Sequence, residues 1–321
     1  MRKDVGAIVA SLLLLVLVMS VPVVAAEKEY PSRPITLIVP YAAGGGTDIM
    51  ARVLQKGLEK ILPVPVAIIN IGGGSGSIGL SELMAAEPDG YTMAIDITNC
   101  WTNKILGTAD FGPLDFEPVA QTGEYYLVYA VGGNSPYNSL KDIYNKLKKE
   151  PKSVIEATNI GAITHFTTLA LQDVMGVEIR LVHIGDGASR IQNVLGGHVD
   201  ATIMGVQEVF PYYKSGEMKV IATFSEERLD AMPDVPTAKE QGFDVVRSNP
   251  YWIFMPKGTP ENRVVYMADA LEKVMQDPEI LDNLESLFME TTFLRNKALV
   301  ENIKKVGEEI VAIAERHGLS K

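Results

Sequence analysis

One cysteine, four histidines and two tryptophans stand in a chain of 321 residues, and each shortage removes a class of function. A single thiol, Cys100, can close no internal disulfide and reads as a small buried hydrophobe. The histidines, at 165, 183, 198 and 317, fall in no metal-ligand spacing such as His-Glu-x-x-His, and no Gly-x-Ser-x-Gly elbow is present. Positive charge is also scarce: 29 Lys and Arg face 40 Asp and Glu, a formal net charge of −11. Nucleic acid and anionic membrane surfaces need clustered basic residues, so both are excluded as partners. An anion, if one is bound, must be held locally by dipoles in a cleft.

The N-terminus points to export. Arg2 and Lys3 precede an apolar run from Ala7 to Val18, and Pro22 with Val24-Ala25-Ala26 supplies a breaker and the small residues of a cleavage site. Residues 1–26 are thus expected to be a cleaved signal peptide and the mature protein periplasmic; the competing reading is an uncleaved anchor. Cleavage removes two basic residues and one acidic one, so the mature chain is slightly more acidic still. Its length suggests two domains.

Strand and helix patterns alternate through most of the remainder, the signature of α/β layers with parallel sheets. The first unit is the most informative. Ile35-Thr36-Leu37-Ile38-Val39 reads as a strand buried on both faces, and it exits through Pro40-Tyr41-Ala42-Ala43-Gly44-Gly45-Gly46-Thr47-Asp48 into a helix reaching Leu62. With Thr47 as expected N-cap, bare amides and the helix dipole converge where a carboxylate or phosphate would be stabilised. No lysine follows Gly46, so this is not a Walker loop, and no clean Gly-x-Gly-x-x-Gly occurs either. A merely tight turn is the bland alternative. The glycines of Gly72 to Gly79 fit close helix-sheet packing or a cleft wall.

Asn159-Ile160-Gly161-Ala162-Ile163-Thr164-His165 repeats the same logic later in the chain: strand, glycine, hydroxyl N-cap, helix. Two such loops facing across a cleft would grip one carboxylate, or two ends of a diacid. His165 is either a helix-start residue or a ligand contact. Asp186, in a third strand exit, either caps the next helix or faces the cleft, where it would favour an amine or hydroxyl; Arg190 is the only arginine close to any of these loops and is either available to the site or simply solvated in the first turns of its helix. The pattern changes near Ser248-Asn249-Pro250, and three helices finish the chain, expected to cover the first domain. The limits expected are 27–127 with 249–321 for one lobe and 128–248 for the other, so the chain crosses between lobes twice and leaves a cleft.

Tyr30-Pro31-Ser32-Arg33-Pro34-Ile35 leading into the glycine loop resembles the opening of the Bug family, extracytoplasmic solute receptors of tripartite tricarboxylate transporters. The resemblance continues through Asn70 with Gly73, Gly76, Ile78 and Gly79, Pro88-Asp89-Gly90-Tyr91-Thr92, Phe116-Glu117-Pro118-Val119, Leu195-Gly196-Gly197-His198-Val199-Asp200 and Pro256-Lys257-Gly258-Thr259-Pro260. It implies a type II-like, Venus-flytrap periplasmic binding protein, without cofactor or enzymatic activity. The expected ligand is a small organic carboxylate: a di- or tricarboxylate, an aromatic acid or an acidic amino acid. The matching positions put Tyr41, Ala42, Ala43, Gly44, Gly45, Thr47 and Asp48 on one side of it and Asn159, Gly161, Thr164 and His165 on the other. The implied partner is a membrane permease, with the receptor a monomer. A sensor signalling to a membrane kinase is the alternative, and an enzyme on the same fold a weaker one. Gly46, Ile71, Gly72, Ile184 and Gly185 depart from the family pattern, as does Trp252, which is placed to reshape the pocket or hinge.

Overall fold

The computed structural model describes residues 29–185 and 187–319, so the expected signal peptide and Asp186 lie outside the described residues. In chain order the elements are β1 (Ile35–Val39), α1 (Gly46–Ile61), β2 (Val66–Asn70), α2 (Ser77–Ala85), β3 (Thr92–Asp96), α3 (Asn99–Leu106) and the long β4 (Glu117–Gly132). There follow α4 (Leu140–Lys149), β5 (Ile155–Thr158), α5 (Ile163–Met175), β6 (Arg180–His183), α6 (Gly187–Leu195), β7 (Ala201–Gly205), α7 (Val206–Ser215) and β8 (Met218–Thr223). The chain ends with β9 (Ser248–Met255), α8 (Glu261–Val274), α9 (Pro278–Ser286), β10 (Glu290–Leu294) and α10 (Asn296–Arg316). The strands join in the order β2-β1-β3-β9-β4-β7-β5-β6, with β8 and β10 also on β4.

This α/β architecture has two lobes, and β4 builds part of each. Its first half, to Tyr126, pairs with β9 and β10; from Leu127 onward it pairs with β7 and β8. The return crossing is tied to it at the same point. Leu127 N–H donates to the Arg247 carbonyl at 3.3 Å, Arg247 N–H to Phe224 at 2.7 Å, and Phe224 N–H to Leu127 at 2.9 Å. Period-two alternation decides which core each side chain enters. Leu127, Tyr129 and Val131 face one core of the second lobe, Val128 and Ala130 the other. On β9, Tyr251 and Ile253 face α1 and α8, whereas Trp252 and Phe254 face the opposite layer with Phe116. Trp252 is fully buried, its indole N–H on Gln121 Oε1 at 3.3 Å. It is therefore a core residue of the first lobe, packed away from solvent on the strand that returns from the second.

The terminal helices also differ from expectation. Leu299 and Ile303 of α10 pack in the first lobe, but Ile310, Ile313 and Ala314 pack in the core of the second. The cause is length: the 21 residues of α10 span about 30 Å, more than one lobe's face. Trp101 of α3 fixes its path by donating to the Ile303 carbonyl at 2.9 Å. A Cβ at Gly307 would stand 2.5 Å from the Trp101 ring, so only glycine permits this approach. At its end, Arg316 and His317 both reach Asp173 of α5, at 2.7 and 2.8 Å.

Candidate functional site

The loops that leave the parallel strands meet residues of the other lobe, Gln207 at Gly46 and Leu106 at Gly161, and they make up the candidate site. In the loop after β1, Ala42, Ala43, Gly44 and Gly45 are exposed, and Gly44 takes a φ of +81°. The N-cap is Gly45, not Thr47; Thr47 is the second helical residue and makes no cap bond. The reason is Asp48, which does the capping from inside the helix. Its buried carboxylate accepts the Gly44 N–H at 2.8 Å, Arg52 Nε at 2.9 Å and Asn70 Nδ2 at 2.9 Å. Asn70 also donates to the Tyr41 carbonyl at 3.2 Å, closing the loop on β2. Burial alone would raise the Asp48 pKa, but the bonds from Arg52, Gly44 and Asn70 win and lower it. Both Asp48 oxygens are thus engaged within the protein. The first-turn amides of Gly46 and Thr47 have no acceptor in their own helix.

Tyr41 points the other way. Its hydroxyl donates to Asp96 Oδ1 at 2.6 Å, at the end of β3. Asp96 is fully buried, and burial, opposed by the Tyr41 bond, pushes its pKa up to about 7. Gly76 and Gly79 provide close packing here: a Cβ would meet the Tyr41 hydroxyl at 3.1 Å and the Ile71 carbonyl at 2.7 Å respectively.

The second-lobe loop is less open than its sequence suggests. Ile160 N–H donates to His183 Nδ1 at 3.2 Å and Gly161 N–H to His165 Nδ1 at 3.3 Å, so two amides of the expected jaw are already taken. The N-cap is Ala162, not Thr164, whose buried hydroxyl accepts from Thr158 at 3.2 Å. His165 is buried; desolvation first, then His317, pushes its pKa down to about 4. It is therefore a neutral acceptor at Nδ1. Asn159 is half-buried at the loop's start. Leu106 of α3 closes over this loop, 3.0 Å from where a Gly161 Cβ would be.

Residues that the sequence did not single out complete the wall. Gln207 of α7 approaches the first loop so closely that a Cβ at Gly46 would lie 3.2 Å from its Nε2 and 3.5 Å from the Tyr251 hydroxyl. The Tyr251 hydroxyl and Gln207 Oε1 are buried without hydrogen-bond partners. Tyr125 packs on Tyr251 with centroids 5.5 Å apart and accepts from Asn249 Nδ2 at 2.6 Å. Glu208 accepts the Gly205 N–H at 3.1 Å, and burial raises its pKa against the opposing pull of Arg190. Arg190 is buried at 6% exposure, which rules out the solvated reading; its Nη1 donates to the carbonyls of Ile184 and Gly185 at 3.4 and 3.2 Å. The sequence signal for Gln207 is positional: Gly205 ends a fully buried strand and opens a helix, much as the β1–α1 loop does. No group of three or more His, Cys, Asp or Glu among the described residues is placed to hold a metal ion.

Two lobes joined through β4 and β9, with strand exits of both converging at the seam, define a two-lobed solute-binding protein of the periplasmic binding class. Residues 50–319 match the model of the tripartite tricarboxylate transporter family receptor, and the chain belongs to that family. It is 30% identical to protein BugT of Bordetella pertussis over 259 residues, 79% of each chain. The structure of periplasmic binding protein BugD superposes with a TM-score of 0.81 at 27% identity, covering 91% of this chain and all of that one. MatC of Rhodopseudomonas palustris with bound malate shares the fold at a TM-score of 0.77 and 24% identity, over 89% of this chain and 99% of its own.

Proposed function

We propose that this protein is a periplasmic receptor that captures a small organic carboxylate between its lobes and delivers it to a tripartite tricarboxylate transporter permease, without chemistry of its own. The observation that carries the reading is the β1–α1 loop. Asp48, Arg52 and Asn70 hold it so that the Gly46 and Thr47 amides and the positive end of α1 face the cleft. Charge-assisted bonds of this kind contribute about 1.5 to 3 kcal/mol each before ordering costs. The transfer of pairing on β4 at Tyr126 and Leu127 supports lobes of 27–127 with 249–321, and 128–248. Ala42, Ala43, Gly44 and Gly45 shape the first seat. Across the cleft, Thr164 and the amides beside it are the donors left by Ile160 and Gly161. Asp48, Tyr41 and His165 act by positioning.

A thermal-shift panel of dicarboxylates, tricarboxylates, aromatic acids and amino acids tests this. At about 100 times the dissociation constant, a carboxylate ligand adds roughly 2.7 kcal/mol to stability and raises the melting temperature. Stabilisation by a sugar or a cation, with none by any carboxylate, would contradict it.

A further inference from the structure

One point beside the start of α1 gathers groups from three elements. A Cβ on Gly46 would stand 3.2 Å from Gln207 Nε2 of α7 and 3.5 Å from the Tyr251 hydroxyl of β9. The Tyr251 side chain is fully buried, yet its hydroxyl bonds to nothing among the described residues. Its neighbour differs: Tyr125, packed against the same ring, accepts from Asn249 Nδ2 at 2.6 Å. Folded proteins rarely leave a buried hydroxyl unpaired, because it then bears the whole cost of leaving water. Burial first, then Tyr125 and Glu208, raise the Tyr251 pKa well above its ordinary value, so the group keeps a proton to donate. Gln207 Oε1 is likewise buried without a partner, and its Nε2 is the second side-chain donor at this point. The first-turn amides of α1 begin at Gly46 itself, at the positive end of the helix dipole. Backbone and side-chain donors thus converge on one place.

We propose that Tyr251 and Gln207 complete the carboxylate seat: the anion held by the α1 amides also accepts from the Tyr251 hydroxyl and from Gln207 Nε2. This rests on the carboxylate-receptor reading above and deepens it. Gly46 and Tyr251 belong to one lobe and Gln207 to the other, so the ligand is bonded to both. The Tyr251 hydroxyl is shielded from solvent, and the carboxylate therefore enters as the lobes part and Gln207 withdraws from Gly46. Glycine at position 46 leaves open the place beside the two donors that a side chain would take.

Calorimetric titration of the full receptor tests the proposal, with succinate, citrate, adipate, benzoate and glutamate as probes and the tightest binder carried through the variants. Removing an unpaired buried hydroxyl costs the ligand-free protein nothing, whereas a hydrogen bond to a charged ligand is lost. Tyr251→Phe is therefore expected to keep or raise the melting temperature of the ligand-free receptor while weakening binding about tenfold or more. Gln207→Glu keeps the shape of the side chain but sets like charge against the anion, so it should weaken binding more than Gln207→Ala does. Should Tyr251→Phe fail to fold, the order of the two Gln207 variants decides. Unchanged affinity in Tyr251→Phe, or Gln207→Glu binding as tightly as Gln207→Ala, overturns the proposal and leaves the receptor reading standing, since the α1 amides are untouched. Binding of none of the five acids by the wild type overturns both.

Discussion

At the scale of single residues, Asp48 holds the β1–α1 loop proposed above as the seat of the ligand carboxylate. Its carboxylate is engaged by Gly44, Arg52 and Asn70, so Asp48→Ala removes the hydrogen bonds that hold the loop, each worth about 0.5 to 1.5 kcal/mol. The expected outcome is a lower melting temperature together with at least tenfold weaker carboxylate binding, measured by calorimetry; unchanged affinity would remove Asp48 from the account. Glu156 supplies a pH prediction of defined sign. It is fully buried in the second lobe, facing Thr168, Tyr129 and Arg190, and burial, opposed by these three, pushes its pKa up to about 7. The native state holds this proton where the unfolded chain, with an ordinary glutamate pKa of about 4.3, has lost it. The stability it contributes is full below about pH 4 and lost as pH rises to about 7. Asp96 acts in the same direction, while His165, lowered to about 4, loses stability as pH falls from about 6.5. Glu156→Gln should flatten the fall in melting temperature between pH 5 and pH 8, and an unaltered slope would contradict the assignment.

Among the elements, what was legible and what was not divides by the range of the signal. The β1–α1 unit could be read directly, because a β-branched strand, three glycines and a helix face are all encoded within 30 residues of one another. Its cap could not: Thr47 has the better N-cap chemistry, but Asp48 reaches back to Gly44 and Gly45 takes the position. The opposite wall had no local signature. Tyr251 sits in an apolar strand and Gln207 opens an ordinary helix; only tertiary contact brings the two to Gly46. Likewise α10 reads as a helix covering one lobe, and only its length shows that it must reach the other. That role is testable. Gly307→Ala forces a methyl into the Trp101 ring, an overpacking that costs about 1 to 3 kcal/mol, and the melting temperature should fall accordingly. A wild-type melting temperature would mean that α3 and α10 are not locked as described.

For the molecule as a whole, both crossings are pinned at Leu127, Phe224 and Arg247, while α10 straps the lobes along one side. Phe288, at a φ of +57°, stacks on Phe210 with ring centroids 3.9 Å apart, a contact between the lobes. The central claim is that backbone amides at the start of α1 hold the ligand carboxylate. Amide-resolved NMR during titration with a binding carboxylate tests it most directly. The Gly46 and Thr47 N–H protons are expected to show the largest downfield shifts, saturating with the calorimetric binding curve. Shifts confined to other parts of the chain, with Gly46 and Thr47 unmoved at saturation, would contradict it.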